Sequence, residues 1–248
     1  MPRLLAFVAI ACALALPPAA HAMVGGAPPA DPALARHVVL IVGSRGTFCT
    51  GVAIARDLVL TAAHCTQPGA DYKLMEFDAA HQPVLRDVTQ VTHHPQFDIK
   101  LLLAHRATAD VSLLRLAAPL AAPSQAVAPG DAFTVAGFGV AVRGDGKTSG
   151  TLRAATLIAT GHPGTLQIRL MDARAKDERA GLGACTGDSG APVFAAQGGR
   201  LAVAGVVSWS TGPKLAAGCG GLTGVTPLVR YRDWIIETAR RMGSTLAP

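Results

Sequence analysis

The sequence predicts an all-β protein closed by one C-terminal helix, and three observations predict it. Short apolar runs rich in Val, Ile, Leu and Thr recur along the chain and are cut by Gly, Pro and Asp, the punctuation of strands and turns. Residues 117–131, AAPLAAPSQAVAPGD, hold three prolines and almost no charge and read as a connector between two halves. At the end, RYRDWIIETARRMG changes period. Tyr231, Trp234, Ile235 and Ala239 fall near one face, and Glu237 and Arg241 stand four apart.

Taken in order, the chain starts with a targeting segment over residues 1–22. Arg3 supplies a positive start, and residues 4–16 are an apolar run too short to span a bilayer. Ala20, His21 and Ala22 make a small-x-small cleavage signal. Cys12 lies midway through the apolar run, a poor place for a lipid-anchored cysteine. No later stretch is a membrane helix, so the mature chain is expected outside the cytoplasm, secreted or periplasmic, with no membrane contact. HVVLIVG, TGVAIA and DLVLTAA read as strands before the connector. AFTVAGF, LQIRL and LAVAGVVSW read as strands after it. Repeats at solenoid spacing are absent. This gives residues 23–128 and 129–248 as the two folded units.

At 248 residues, 50% of them hydrophobic, the chain is long enough for one large or two small cores. Its net charge of +6 is scattered, with no basic block, which argues against a nucleic-acid footprint. Without Cys12, four cysteines remain: Cys49, Cys65, Cys185 and Cys219. An even number in an exported chain points to two disulfides, in any of three pairings. No C-x-x-C or H-E-x-x-H motif calls for a metal, and no cofactor is expected.

Three segments carry chemistry. VLTAAHC places His64 after an apolar run, where a neutral imidazole can take a proton from a hydroxyl. ATADVSLLRL places Asp110 at the entry of another, where a semi-buried carboxylate can hold a histidine in one tautomer. GACTGDSGAP puts Ser189 in a glycine-rich turn, with Gly187 able to turn backbone N–H groups inward. Each alone has a plain structural reading; together, in the order His, Asp, Ser, they describe a nucleophile, a base and an orienting acid.

With TAAHC and GDSG, and with MVGG, His94-Pro95, VAGFG, SWS and the terminal WI helix in support, the mature chain resembles an exported, bacterial-type member of the chymotrypsin/trypsin-type serine proteases over nearly its whole length. The resemblance implies two antiparallel six-stranded β-barrels with the site between them and a C-terminal α-helix. It implies a serine endopeptidase acting on polypeptides, subject to proteinaceous inhibitors and monomeric. Ser189 would attack the carbonyl, His64 would serve as base and then acid, and Asp110 would orient His64. The N–H groups of Gly187 and Ser189 would hold the oxyanion, and Ser208 would hydrogen-bond Asp110. Ser208, Trp209 and Ser210 would pair with extended substrate. Cys49–Cys65 and Cys185–Cys219 would be the disulfides; a third bridge common in the family is missing. Ala191 stands where glycine is commoner and Phe138 where tryptophan is.

The resemblance also implies an activation pair, a freshly cut N-terminal ammonium on Asp188. Cleavage after Ala22 would expose Met23, so removal of the signal would itself create the active N-terminus. The pocket floor would be Gly183 and its walls Ser210 and Gly224, none of them acidic, which favours an apolar residue before the cut. Asp172, Asp177 and Glu178 are the nearby acids able to alter that preference. The rival classes are a non-catalytic binding protein on the same fold and a small-molecule esterase with the same triad. Arg143, Gly144 and Asp145 spell an adhesion tripeptide, His93 and His94 a metal-binding pair, and Glu76 with Asp78 an acidic pair; each reads as ordinary surface or turn chemistry.

Overall fold

The computed structural model describes residues 23–77, 82–118, 132–160, 166–197 and 200–246. The signal segment with Cys12, Asp78, most of the connector and the boundary at 128/129 lie outside the described residues. Two closed antiparallel barrels of six strands form. The first is built from β1 (Val38–Gly43), β2 (Phe48–Ala55), β3 (Leu58–Thr61), β4 (Tyr72–Phe77), β5 (Pro83–His93) and β6 (Ser112–Leu116), closed in the order 1-2-3-6-5-4. The second is built from β7 (Ala132–Gly137), β8 (Arg153–Ala159), β9 (Ile168–Met171), β10 (Pro192–Gln197), β11 (Arg200–Ser210) and β12 (Thr223–Pro227), closed in the order 10-11-12-9-8-7.

Closure gives every strand a neighbour on both sides, with only strand ends such as the last residues of β11 paired on one side, and each barrel has its own apolar filling. Ile41, Val59, Leu74 and Leu114 fill the first, and Phe133, Val135, Leu157, Leu170 and Val225 the second. A third cluster joins them: Leu58, Leu60 and Leu113 from one barrel meet Ala136, Phe194 and Val206 from the other. Burying one such side chain fully contributes roughly 1.5–3 kcal/mol, so this seam fixes the relation of the two barrels firmly.

Residues 23–35 and 231–244 both reach across that seam. Met23 and Ala27 lie in the core of the second barrel, and Val24 bridges Gly183. The chain then crosses to the first barrel through α1 (Pro32–Ala35), whose Leu34 enters the shared cluster. The terminal helix α3 (Arg232–Arg241) returns from the second barrel onto the first, placing Tyr231 and Ile235 in the shared cluster. Beyond it, Ser244 Oγ donates to Asp57 at 2.5 Å and Arg115 donates to the Met242 carbonyl.

The expectation of a single helix is too simple. Besides α1 there is α2 (Ile99–Leu103), and both are too short to show a periodic pattern. Each instead starts on an aspartate. Asp31 accepts from Ala33 N, and Asp98 accepts from the N–H groups of Lys100 and Leu101, satisfying donors that a helix start leaves bare.

Candidate active site

His64 follows β3 directly, on a 3₁₀ turn over Ala63–Thr66. Asp110 sits two positions before β6 and is fully buried. Its carboxylate collects three donors: His64 Nδ1 at 2.8 Å and Ser208 Oγ at 2.5 Å on one oxygen, and the His64 backbone N–H at 3.0 Å on the other. A buried carboxylate is tolerable only with such partners. Because the carboxylate accepts at Nδ1, the proton resides there and Nε2 keeps its lone pair. The His64 side chain remains 19% exposed, so a reactant can reach it.

The Ser189 turn is clamped between the barrels. Gly187 and Gly190 adopt φ of +94° and +78°, where side chains are strained. A Cβ on Gly187 would press on Phe48 at 2.7 Å, and one on Gly190 would run into Thr61 and the Thr50 carbonyl. Thr50, from β2, holds the turn. Its N–H donates to the Ser189 carbonyl at 2.8 Å and its Oγ1 to the Gly187 carbonyl at 2.9 Å. Phe138 N donates to the same Oγ1 at 3.1 Å, and Gly190 N donates to Val207 O at 2.8 Å. With those carbonyls drawn to one side, the N–H groups of Gly187 and Ser189 have no acceptor among the described residues.

Asp188, between them, is fully buried. Gly139 N and Cys185 N each donate to it at 2.9 Å, but burial dominates and pushes its carboxyl up to about 7. Gly137 and Gly139 lack side chains where that carboxyl lies; a Cβ on either would collide with it. Met23, also fully buried, belongs to the same core as Ala184 and Ala191.

The expected pocket residues lie on adjoining segments. Gly183 faces Gly220, where a Cβ would come within 3.2 Å of Gly220 Cα, and Thr223 Oγ1 accepts from Ala184 N at 3.1 Å. Ser210 ends β11, paired with Thr223. Gly224 pairs with Trp209, and its missing Cβ leaves the space in which the indole lies. Of the nearby acids, Asp172 is occupied. Burial opposes its charge, yet the N–H groups of Leu182 and Arg174 and the Arg174 charge hold its carboxyl below the usual range. Asp177 turns toward Gly221 a buried oxygen with no hydrogen-bond partner among the described residues, and Glu178 is exposed.

The two disulfides are Cys49–Cys65 and Cys185–Cys219, the pairing the resemblance implied. Cys49, His64 and Cys65 cluster within 4.8 Å, but the two sulfurs are bonded to each other and offer no thiolates to a metal. His93 and His94 face different partners. His93 bonds Thr66, while His94 lies between the rings of Tyr231 and Trp234, each 4.9 Å away. Asp145 accepts from Lys147 N as a turn cap, and Glu76 pairs with Arg86. No helix among the described residues is long and apolar enough to cross a membrane.

The sequence profile of the trypsin family matches residues 23–235. The chain belongs to the trypsin family. It is 31% identical to kallikrein-15 of Saguinus oedipus over 232 residues, covering 79% of this chain and 84% of that protein. It is 28% identical to human kallikrein-14, covering 82% and 79%, and 28% identical to the vitellin-degrading protease of Bombyx mori, covering 76% and 75%. By this membership it is a serine endopeptidase with two disulfides. These relatives are animal proteins, so the bacterial-type part of the resemblance has no support among them. One residue of this trypsin-family site escaped the sequence reading. Thr50 looks like any β-forming threonine in TGVAIA, and its partner at Gly187 lies 137 positions away.

Proposed function

We propose that this endopeptidase cuts polypeptides through Ser189, His64 and Asp110, by way of an acyl-enzyme. The carrying observation is the Asp110 carboxylate, buried and holding both Nδ1 and the backbone N–H of His64. Ser189 Oγ attacks the scissile carbonyl carbon and gives its proton to His64 Nε2, and Asp110 stabilises the imidazolium. The unpartnered N–H groups of Gly187 and Ser189 take the oxyanion. As the C–N bond breaks, His64 returns the proton to the leaving amine. Water, deprotonated by His64, then hydrolyses the ester and frees Ser189.

Substrate lies as an added strand along Ser208, Trp209 and Ser210. Pairing of β10 with β11 ends at Pro192↔Val206, so past Val207 the cleft side of β11 is open among the described residues. Gly183 and Ser210 border a small, uncharged pocket, which an apolar residue before the cut fits best; Gly224, expected as its other wall, is covered by the Trp209 indole. Residues 1–22 are removed as a signal peptide, residues 23–128 and 129–248 form the two units, and the protein acts as a secreted or periplasmic monomer open to proteinaceous inhibitors. Signal cleavage frees Met23, whose ammonium pairs with Asp188 and completes the turn around Ser189.

A fluorophosphonate probe followed by peptide mapping tests the nucleophile, with Ser189→Ala as control. Labelling at Ser189 supports the reading; folded protein starting at Met23 that stays unlabelled refutes it. Cleavage after Arg faster than after Leu or Phe in matched peptides would refute the apolar preference.

A further inference from the structure

Three in-register strands carry Trp209, Gly224 and Arg169 side by side, since Trp209 pairs with Gly224 and Gly224 with Arg169. Directly opposed residues of antiparallel strands share a face. Glycine in the middle leaves a gap, and the indole lies across it with the Arg169 guanidinium 5.9 Å from the ring centroid. That distance is within cation–π reach. His105 stacks on the same indole at 4.8 Å with 17° between the planes. Its backbone is held at φ +52°, just past α2, an uncommon conformation outside glycine. Leu102 and Leu222, with Phe97 and Met171, belong to the same apolar cluster as the indole.

The result is a fixed shelf with two exposed nitrogen-bearing groups at its rim. Arg169 has no carboxylate partner among the described residues; its Nε donates to the Gln167 side chain at 3.2 Å, leaving two guanidinium nitrogens. The loop carrying His105 adds Lys100 and Arg106, and its single acid, Asp98, spends an oxygen on capping α2. The shelf sits on the open segment of β11. Ser208 bonds the carboxylate that holds His64, so movement from 208 toward 210 leads away from the cut.

Resting on the proposed function, we propose that this shelf selects substrates with a carboxylate side chain two to four residues before the cut, the carboxylate meeting Arg169 and His105 at the rim of Trp209. The substrate class is therefore an extended segment with an acidic residue upstream of an apolar one. Arg169 and His105 are exposed, and exposed pairs are individually weak, so the expected preference for Glu over Lys is roughly threefold to tenfold in kcat/KM.

The experiment compares peptides with Leu before the cut and Glu, Ala or Lys at the second, third and fourth positions before it. The enzyme is the protein starting at Met23, with active sites counted by labelling at Ser189. Glu exceeding Ala and Ala exceeding Lys at one position, with the order reversed in Arg169→Glu and flattened in His105→Ala, is the expected result. Arg169→Gln, which removes the charge but keeps a polar amide, guards against misfolding of the reversal and should flatten the order. Equal rates for the three peptides, or an order unchanged in Arg169→Glu and Arg169→Gln, would overturn the shelf's role while labelling at Ser189 still upholds the reading it rests on. Failure to label Ser189 would remove both.

Discussion

With Ala22 attached, the nitrogen of Met23 is an uncharged amide, and the buried Asp188 carboxyl stands at about 7 instead of 3.8. A group whose carboxyl is raised on folding holds its proton better in the folded state. Its contribution is therefore whole below pH 3.8 and is lost as pH climbs toward 7. The span between the two values corresponds to about 4 kcal/mol, almost the margin by which an ordinary domain is folded. On the proposed pairing, a protein that starts at Met23 should escape this loss, because an ammonium beside Asp188 would let it ionise at low cost. The test compares protein starting at Met23 with protein retaining Ala22 ahead of it, both as Ser189→Ala to prevent self-digestion. Urea unfolding is followed at pH 4, 6 and 8. The extended form should lose up to about 4 kcal/mol more than the Met23 form between pH 4 and pH 8, since other titrating groups are common to both. Parallel pH profiles would refute the pairing of the Met23 ammonium with Asp188.

Three further outcomes follow from the packing around the cleft. Thr50→Val keeps shape but strands the Gly187 carbonyl and the Phe138 N–H, each buried loss costing about 1–3 kcal/mol; probe labelling at Ser189 should slow, and Thr50→Ser should restore it. Gly224→Ala forces a methyl into the Trp209 ring, so urea unfolding should show a loss of about 1–3 kcal/mol, with a change in tryptophan fluorescence. Replacing Cys49 and Cys65 together by alanine removes a link closing a separation of 16 residues, and the urea midpoint should fall by an amount equivalent to about 3 kcal/mol.

How much of this was legible in the sequence depends on where each element's partner lies. β1, β2, β3, β7, β9 and β11 follow apolar runs because their side chains fill barrel interiors. β5 gave no such signal, since PVLRDVTQVTH is largely exposed and owes its place to β4 and β6 on either side. β12, TGVTP, hid behind a glycine and a proline although every residue in it is buried. The candidate catalytic segments stood out because each concentrates its chemistry within a few positions, as in the turn around Ser189. Thr50 and the shelf of His105, Trp209 and Arg169 were not, because their meaning exists only after distant strands meet.

That same non-locality explains why the cleft is stiff enough for chemistry. Each barrel closes on itself, so neither needs the other to satisfy its strands. The cleft would hinge open if a single connector joined them. Instead, residues 23–35 run from the second barrel to the first, and α3 returns from the second to the first by another route. Between these straps, Thr50 of the first barrel fixes two carbonyls of the Ser189 turn, and Ser208 of the second fixes the Asp110 carboxylate of the first. Each side of the cleft thus orients a group belonging to the other. A substitution at Thr50 or Ser208 should disturb the chemistry beyond any loss of stability, because it loosens the bond that sets one half of the site against its counterpart.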